Sequence, residues 1–141
     1  MKPFIAPGMQ MEAPDGWFDA STYLLAGPPI KDGRASMVVT LARGVPDPSV
    51  TAYVDRQLPD LKKLQEFALQ KRESARVAGM DAVILEFTWK QPAGPKLRQR
   101  QWYLWSGGNV HTLTATAPDE AFPPLAPVFA QMVLTFKPKA W

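Results

Sequence analysis

The clearest pattern along the chain is the alternation of apolar and polar residues in its second half. Glycine and proline interrupt this alternation at Gly79, at 91–95 and at Gly107-Gly108. Short alternating runs separated by turn residues are typical of β-strands joined in sequence order. The sequence therefore predicts an antiparallel meander with strands at 68–77, 82–90, 97–106 and 109–117. Gly107-Gly108 is the strongest hairpin signal, because both residues can adopt positive φ.

The first half of the chain predicts two more strands and a helix. A brief apolar run at 22–26 and a β-branched run at 35–41 flank a turn and suit a hairpin, and a short extended start covers 9–11. Asp47-Pro48 then resembles an N-cap followed by proline at the first helical position. Apolar residues recur at helical spacing from Val50 to Leu64. Pro59 should kink or break this helix, after which we expect it to resume.

A second helix is predicted at 125–136, after Pro123-Pro124. Strands before and after one helix, with another helix at the end, indicate the α+β class. We expect a single domain over 1–141, built as a curved antiparallel sheet with the helices packed on one face.

Composition then removes several classes of function. The chain has no cysteine and one histidine, so disulfides, thiolate chemistry and a transition-metal site are not expected. A net charge of +3 is too small to demand a polyanionic partner. The N-terminus lacks a continuous apolar stretch, and no window approaches a membrane span, so we expect a soluble cytoplasmic protein.

Two candidate sites are weak. His111 is the single histidine and shares a strand side with Leu113, so packing is a better interpretation than catalysis with a carboxylate. No catalytic constellation can be assembled, and we expect a protein that is not an enzyme and needs no cofactor. Lys96, Arg98, Arg100 and Trp102 form a basic and aromatic stripe that could suit nucleic acid, but a solvated sheet edge explains it better.

The other side of the same strand carries a more unusual mixture of amides and apolar groups. Gln99 and Gln101 alternate there with Leu97, and the next strand offers Thr112 and Thr114. Gln57 lies close to the apolar stripe of the first helix, with Leu61 and Leu64. A semi-polar groove of this kind suits a hydrophobic helix. Ordinary packing of a β-meander explains the pattern equally well.

A set of segments that together span nearly the whole chain carries a family resemblance: WFD, ASMVVTLAR, AYVDRQLPDL, AVILEFTW, RQRQWYLWSGGNVHTLTAT and PVFAQMVLTF. These segments resemble the DcrB-related family, in particular the Eag effector-associated chaperones of type VI secretion. The resemblance implies a PsbP-like α/β sandwich and a homodimer. It also implies that Gln57 and Gln101 contact the N-terminal transmembrane segments of a PAAR or Rhs effector, with Leu61 and Leu97 as apolar neighbours.

The sequence therefore yields one main hypothesis and one rival. The main hypothesis is a cytoplasmic chaperone that shields hydrophobic effector helices before export, binds no nucleic acid and is not itself inserted into membranes. Its groove would be lined by Gln57, Leu61, Leu64, Leu97, Gln99, Gln101, Thr112 and Thr114. The rival is a small-ligand-binding or scaffold protein that uses the same fold.

Overall fold

An antiparallel sheet of six strands is the centre of the fold. We describe it from a computed structural model covering residues 1–138. The elements in chain order are β1 (Lys2–Ala6), β2 (Met9–Ala13), β3 (Tyr23–Ile30), β4 (Gly33–Ala42), α1 (Val50–Leu61), β5 (Ala68–Val77), β6 (Met80–Lys90), β7 (Lys96–Ser106), β8 (Asn109–Pro118), a 3₁₀ turn (Asp119–Ala121) and α2 (Phe122–Leu134). The strand order is β3-β4-β8-β7-β6-β5, and β1 and β2 form a separate hairpin. The α+β class and the antiparallel meander are confirmed.

The two helices cover opposite faces of the sheet, so the prediction that they share one face is wrong. Val83 and Leu85 of β6 pack with Val54 of α1. Leu113 and Ala115 of β8 pack with α2 through residues such as Phe129. Since alternate residues of a strand point to opposite faces, paired Ile84 and Trp102 lie on the α2 side with Leu113. The sheet is thus the middle layer of three.

The N-cap of the first helix is Ser49, not Asp47. The Ser49 hydroxyl accepts from the Ala52 backbone N–H at 3.1 Å, which satisfies one of the unpaired donors of the first turn. Asp47 instead pairs with Arg56 at 2.8 Å. Pro59 lies in the last turn, where the helix continues to Leu61 and then ends. The expected resumption does not occur, and Leu64 lies in the turn that follows.

The Gly107-Gly108 hairpin forms as predicted. Both glycines have positive φ, 55° and 84°, and Ser106 pairs with Asn109 across the turn. This turn also anchors the segment before α1, because the Asn109 side-chain oxygen accepts from the Gly44 backbone N–H at 2.9 Å. The best local signal in the sequence therefore fixes the register of β7 against β8.

The N-terminal region contains more strand than predicted. β1 pairs with β2 from Lys2↔Ala13 to Ala6↔Met9, whereas the sequence indicated only a short extended start. β3 continues through Gly27-Pro28-Pro29 to Ile30, with a register shift between Ala26 and Pro29. Proline is tolerated there because β3 is an edge strand, so its outer backbone groups need no ladder partner. No helix of the described chain, 1–138, is long and apolar enough to cross a membrane.

Candidate partner-binding face

The α1 side of the sheet is only partly covered by its helix. α1 packs on β6 and β7, and Val110 at the start of β8 is buried in the same cluster, whereas the rest of this face of β8 and β4 stays partly exposed. We call this uncovered region the open face, and its floor consists of Leu24, Val38, Thr40, Gln99, Gln101, Thr112, Thr114 and Thr116. Each of these residues except Leu24 is half-buried. The face is thus a partly exposed sheet surface beside α1.

The central row of the open face crosses four strands. Gln101 of β7 lies opposite Thr114 of β8, which lies opposite Val38 of β4. Val38 in turn lies opposite Leu24 of β3, which is 64% exposed. Side chains in such cross-strand positions are neighbours on one face. The row therefore changes from amide to hydroxyl to apolar as it moves away from α1.

Two short hydrogen-bond chains fix the glutamines. The Trp89 indole donates to Gln99 Oε1 at 2.8 Å, and Gln99 Nε2 donates to the Thr116 hydroxyl at 2.8 Å. Gln101 Nε2 donates to the Thr114 hydroxyl at 3.3 Å, while Gln101 Oε1 accepts from the Tyr103 hydroxyl. Each amide still has an unused N–H and acceptor capacity. The glutamines can therefore bind a further polar group without first being reoriented.

Tyr103 supports this arrangement from the core. It is 3% exposed, and its ring meets Tyr53 of α1 edge-on at 6.1 Å between centroids. Burial, with a smaller effect of Tyr53, raises the pKa of Tyr103 far above its ordinary value. The phenol therefore stays protonated and donates to Gln101 throughout the physiological pH range.

Gln57 lies on the flank of α1 that faces the open region. Asp55 pairs with Arg72 of β5 at 2.7 Å, so this flank of α1 faces the β5 edge of the sheet. Tyr53 contacts β7 through Tyr103 on the other flank, and Gln57 follows Tyr53 by one helical turn. Gln57 is half-buried and forms no side-chain hydrogen bond within residues 1–138. The structure thus brings it to the margin of the open face.

Of the three predicted leucines only Leu97 is buried more deeply than the polar residues. Leu61 and Leu64 are half-buried and pack against the core beneath α1. Leu97 is 9% exposed and is placed between Trp89 and Pro118 in the ladder. Leu61 and Leu64 thus pack in the α1 cluster, and Leu97 lies in the sheet. Their direct contact with a partner stays a prediction.

Sequence reasoning missed the contributions of Trp89, Leu24, Val38 and Thr40. Trp89 lies in β6, and Phe87 two residues earlier pairs with Gln99, so the bond from Trp89 to Gln99 could have been found from the β6–β7 pairing. Leu24, Val38 and Thr40 join the face because β4 pairs with β8 across about 70 intervening residues, as in Val38↔Thr114. No local pattern encodes that pairing.

The basic stripe lies on the opposite, α2 side and is neutralised. Glu86 accepts from Arg98 at 2.7 Å and pairs with Arg100 at 2.6 Å, and Asp119 accepts from Arg98 at 2.8 Å. The Arg98 and Arg100 side chains are only 23% and 21% exposed, so they do not form a solvated edge. Trp102 is buried beside them. Arg98 and Arg100 thus belong to the packed α2 layer, whereas the Lys96 side chain is 57% exposed.

His111 also lies on the α2 side. Its ring meets Phe136 edge-on at 5.3 Å between centroids. Burial, and to a smaller extent Arg43, lowers the pKa of His111, so the imidazole is neutral at physiological pH. Within residues 1–138 no cluster of His, Cys, Asp and Glu could hold a metal ion. The expectation that His111 shares a side with Leu113 agrees with this placement.

The chain matches a known protein family over most of its length. The DcrB family model matches residues 9–133, which include the open face and both helices. The chain belongs to the DcrB family. A comparison with curated proteins finds no match.

Solved structures extend this likeness. A Pseudomonas aeruginosa protein of unknown function, PA94, described as a candidate regulator, is 28% identical, with a TM-score of 0.81 and coverage of 100% of this chain and 99% of that one. LpqN of Mycobacterium tuberculosis, involved in cell envelope biogenesis, is 18% identical, with a TM-score of 0.57 and coverage of 94% and 86%. Cyanobacterial PsbP from Synechocystis sp. PCC 6803 is 11% identical, with a TM-score of 0.54 and coverage of 86% and 94%. The last two show the fold alone, and the PsbP-like architecture of this DcrB-family chain is confirmed.

Proposed function

We propose that this DcrB-family protein is a cytoplasmic chaperone that binds and shields the hydrophobic N-terminal helices of a type VI secretion effector of the PAAR or Rhs type. The observation that carries the proposal is the central row of the open face. It presents Gln101, Thr114, Val38 and Leu24 side by side, with Gln57 at its margin. The motif resemblance to Eag chaperones supplies the class of partner.

The dimensions of the open face suit one apolar helix. A 20-residue helix is about 30 Å long and about 10–12 Å wide. The floor runs from Thr112 to Thr116 along β8, which corresponds to about 14 Å of strand at about 3.4 Å per residue. From β7 to β3 the sheet is roughly 15 Å across, at about 4.8 Å per strand. The open face is therefore wide enough for a single membrane-type helix and contacts about half of its length.

The chemistry of the face also suits such a helix. Leu24 and Val38 supply apolar contact, and burial of apolar surface contributes roughly 25 cal/mol per Å². Helices that pack inside membranes carry small polar residues such as serine and threonine on their contact sides. The unused amide groups of Gln99 and Gln101 can pair with these groups. A purely apolar face would leave the serine and threonine hydroxyls of the bound helix buried without a hydrogen-bond partner.

We further propose that the working form is a homodimer. The N-terminal hairpin and the segment after it expose Ile5 (70%), Met11 (56%), Trp17 (64%) and Phe18 (57%). An isolated two-stranded hairpin is marginally stable, and burial against a second copy would remove these side chains from water. Light scattering after size exclusion should give twice the monomer mass, and Ile5→Asp should shift that mass toward the monomer.

Coexpression tests the chaperone proposal. The probe is the hydrophobic N-terminal segment of a PAAR or Rhs effector, fused to a carrier protein and produced with or without the chaperone. We expect the segment to stay in solution and to copurify only when the chaperone is present. If the segment precipitates equally in both cases, the proposal is wrong. The small-ligand or scaffold rival is then the better account.

A further inference from the structure

A second recess lies on the α2 side of the sheet, opposite to the open face. Here the N-terminal hairpin, β3, β4, β8 and the segment after α2 converge around a pocket of about 410 Å³, which we call the His111 pocket. This volume falls in the range of small-molecule sites. Val39, Leu41 and Phe136 provide apolar wall. The pocket can therefore hold the hydrocarbon part of a small molecule.

The polar groups of the His111 pocket are mainly cationic or neutral donors. Arg43 and Lys137 both line it, and within residues 1–138 neither forms an ion pair. The Arg43 guanidinium lies over the Phe18 ring at 5.0 Å, which leaves its N–H edge available. His111 is half-buried and its imidazole has no hydrogen-bond partner in the described chain. These side chains provide unused donors next to an apolar wall.

The one carboxylate of the pocket is already engaged. Asp19 accepts from the Ser21 backbone N–H at 2.8 Å and from the Tyr23 hydroxyl at 2.5 Å. The hydrogen bond from Ser21, then that from Tyr23, lowers the pKa of Asp19, so this group is negatively charged at neutral pH. Its charge offsets one of the two cations, Arg43 and Lys137. The single positive charge that remains suits a monoanion better than a phosphate dianion.

We propose that the His111 pocket binds a small amphipathic carboxylate. The carboxylate lies between Arg43 and His111, and its hydrocarbon packs against Val39, Leu41 and Phe136. A single guanidinium with a neighbouring imidazole matches one carboxylate, and the apolar wall rejects a purely polar anion. The pocket opens on the side of the sheet opposite to the open face, and Thr40 is the one floor residue that also lines the pocket.

The pocket also predicts a pH dependence. Around the His111 ring lie Arg43, which follows β4, Asp19 and Tyr23 from the β3 side, and Lys137 after α2. Burial and Arg43 favour the neutral imidazole, whereas a bound carboxylate favours its protonated form. Carboxylate binding is therefore coupled to protonation of His111. Because this protonation is easier at lower pH, affinity for the carboxylate should be higher at pH 6 than at pH 8.

Titration with octanoate tests this proposal. Binding is followed by calorimetry and by the NMR shifts of the His111 ring, with 1-octanol as the uncharged probe of similar size. We expect saturable octanoate binding that shifts His111, and at least about tenfold weaker binding of 1-octanol. Absence of a saturable His111 shift, or equal affinity for the two probes, would overturn the proposal.

Matched variants localise the site. Arg43→Gln removes an exposed cation and should weaken octanoate about tenfold, whereas Lys31→Gln, in the exposed β3–β4 turn, should leave the affinity unchanged. Equal affinity in folded Arg43→Gln and wild-type protein would refute the site. Both variants should still retain the effector segment. Failure of octanoate binding can therefore be distinguished from failure of the chaperone proposal.

Discussion

Gln101 and Thr114 face each other across β7 and β8, with the Gln101 amide donating to the Thr114 hydroxyl at 3.3 Å. The other end of the same amide accepts from Tyr103, which is 3% exposed. Gln101 thus joins the buried side of the α1 layer to the open face. Its side chain has a structural role and a candidate binding role at once.

Replacement of Gln101 by alanine should therefore change two measurements. The buried Tyr103 hydroxyl loses its acceptor, so the free energy of unfolding should fall by about 1–2 kcal/mol. Affinity for the effector segment should fall about tenfold, because one polar anchor of the face is lost. Denaturant unfolding measures the first effect and calorimetry with the segment measures the second. Unchanged affinity in the folded variant would remove Gln101 from the proposed site.

Gln57→Ala separates binding from folding. Within residues 1–138 the Gln57 side chain has no hydrogen-bond partner to lose, so stability should change by less than about 0.5 kcal/mol. Affinity for the effector segment should nevertheless fall about threefold to tenfold. Gln131→Ala is the matched control, because Gln131 is exposed on α2 and lies on the other side of the sheet. If both variants bind equally well, Gln57 is not a partner contact.

Local signals in the sequence were enough to find the polar part of the open face. Alternation along β7 and β8 and the Gly107-Gly108 turn together set the register that places Gln101 beside Thr114. The same alternation separates the glutamines from Arg98 and Arg100. For this reason the predicted shared face of β7 and β8 agrees with the observed pairing, whereas its role in binding stays a prediction.

Long-range packing was not readable in the same way. Arg98 and Arg100 suggest a solvated face, but Glu86 and Asp119 neutralise them and α2 packs beside them. The prediction that both helices share one face came from the order of the elements alone, which does not determine the face on which each helix packs. Ala115 and Ala117, small and fully buried, are the features that leave room for α2. The sequence does not show that these alanines lie beneath α2 until the pairing of β4 with β8 is known.

The β7–β8 turn offers a sharp test of the hairpin geometry. Gly108 has φ 84°, which a β-branched residue adopts only with strain, although the space around its Cα is open. Gly108→Val should therefore lower the free energy of unfolding by about 1–3 kcal/mol. Gly107→Asn, at φ 55°, should be tolerated much better, because asparagine commonly adopts this conformation in such turns. Equal destabilisation in the two variants would contradict the assigned turn.

The ionic network on the α2 side predicts how stability depends on pH. Burial acts to raise the pKa of Glu86, but hydrogen bonds from Arg100 and Arg98 outweigh it and hold the pKa below its ordinary value of 4.5. A carboxylate with a depressed folded-state pKa contributes stability above its unfolded pKa and loses it as the pH falls through the folded-state value. Stability should therefore decline as the pH is lowered from about 5 toward 3.

Glu86→Gln isolates this contribution. The Glu86 side chain is 12% exposed and holds two arginines, so its replacement should cost about 2 kcal/mol at pH 7. The gap between wild-type and variant stability should then shrink on acidification, because protonated Glu86 in the wild type also loses its charge. Glu73→Gln is the control, since Glu73 is 44% exposed beside Lys71 and should change little. Urea unfolding at several pH values measures the gap. A gap that stays constant from pH 7 to pH 3 would mean that the Glu86 charge does not stabilise the α2 layer.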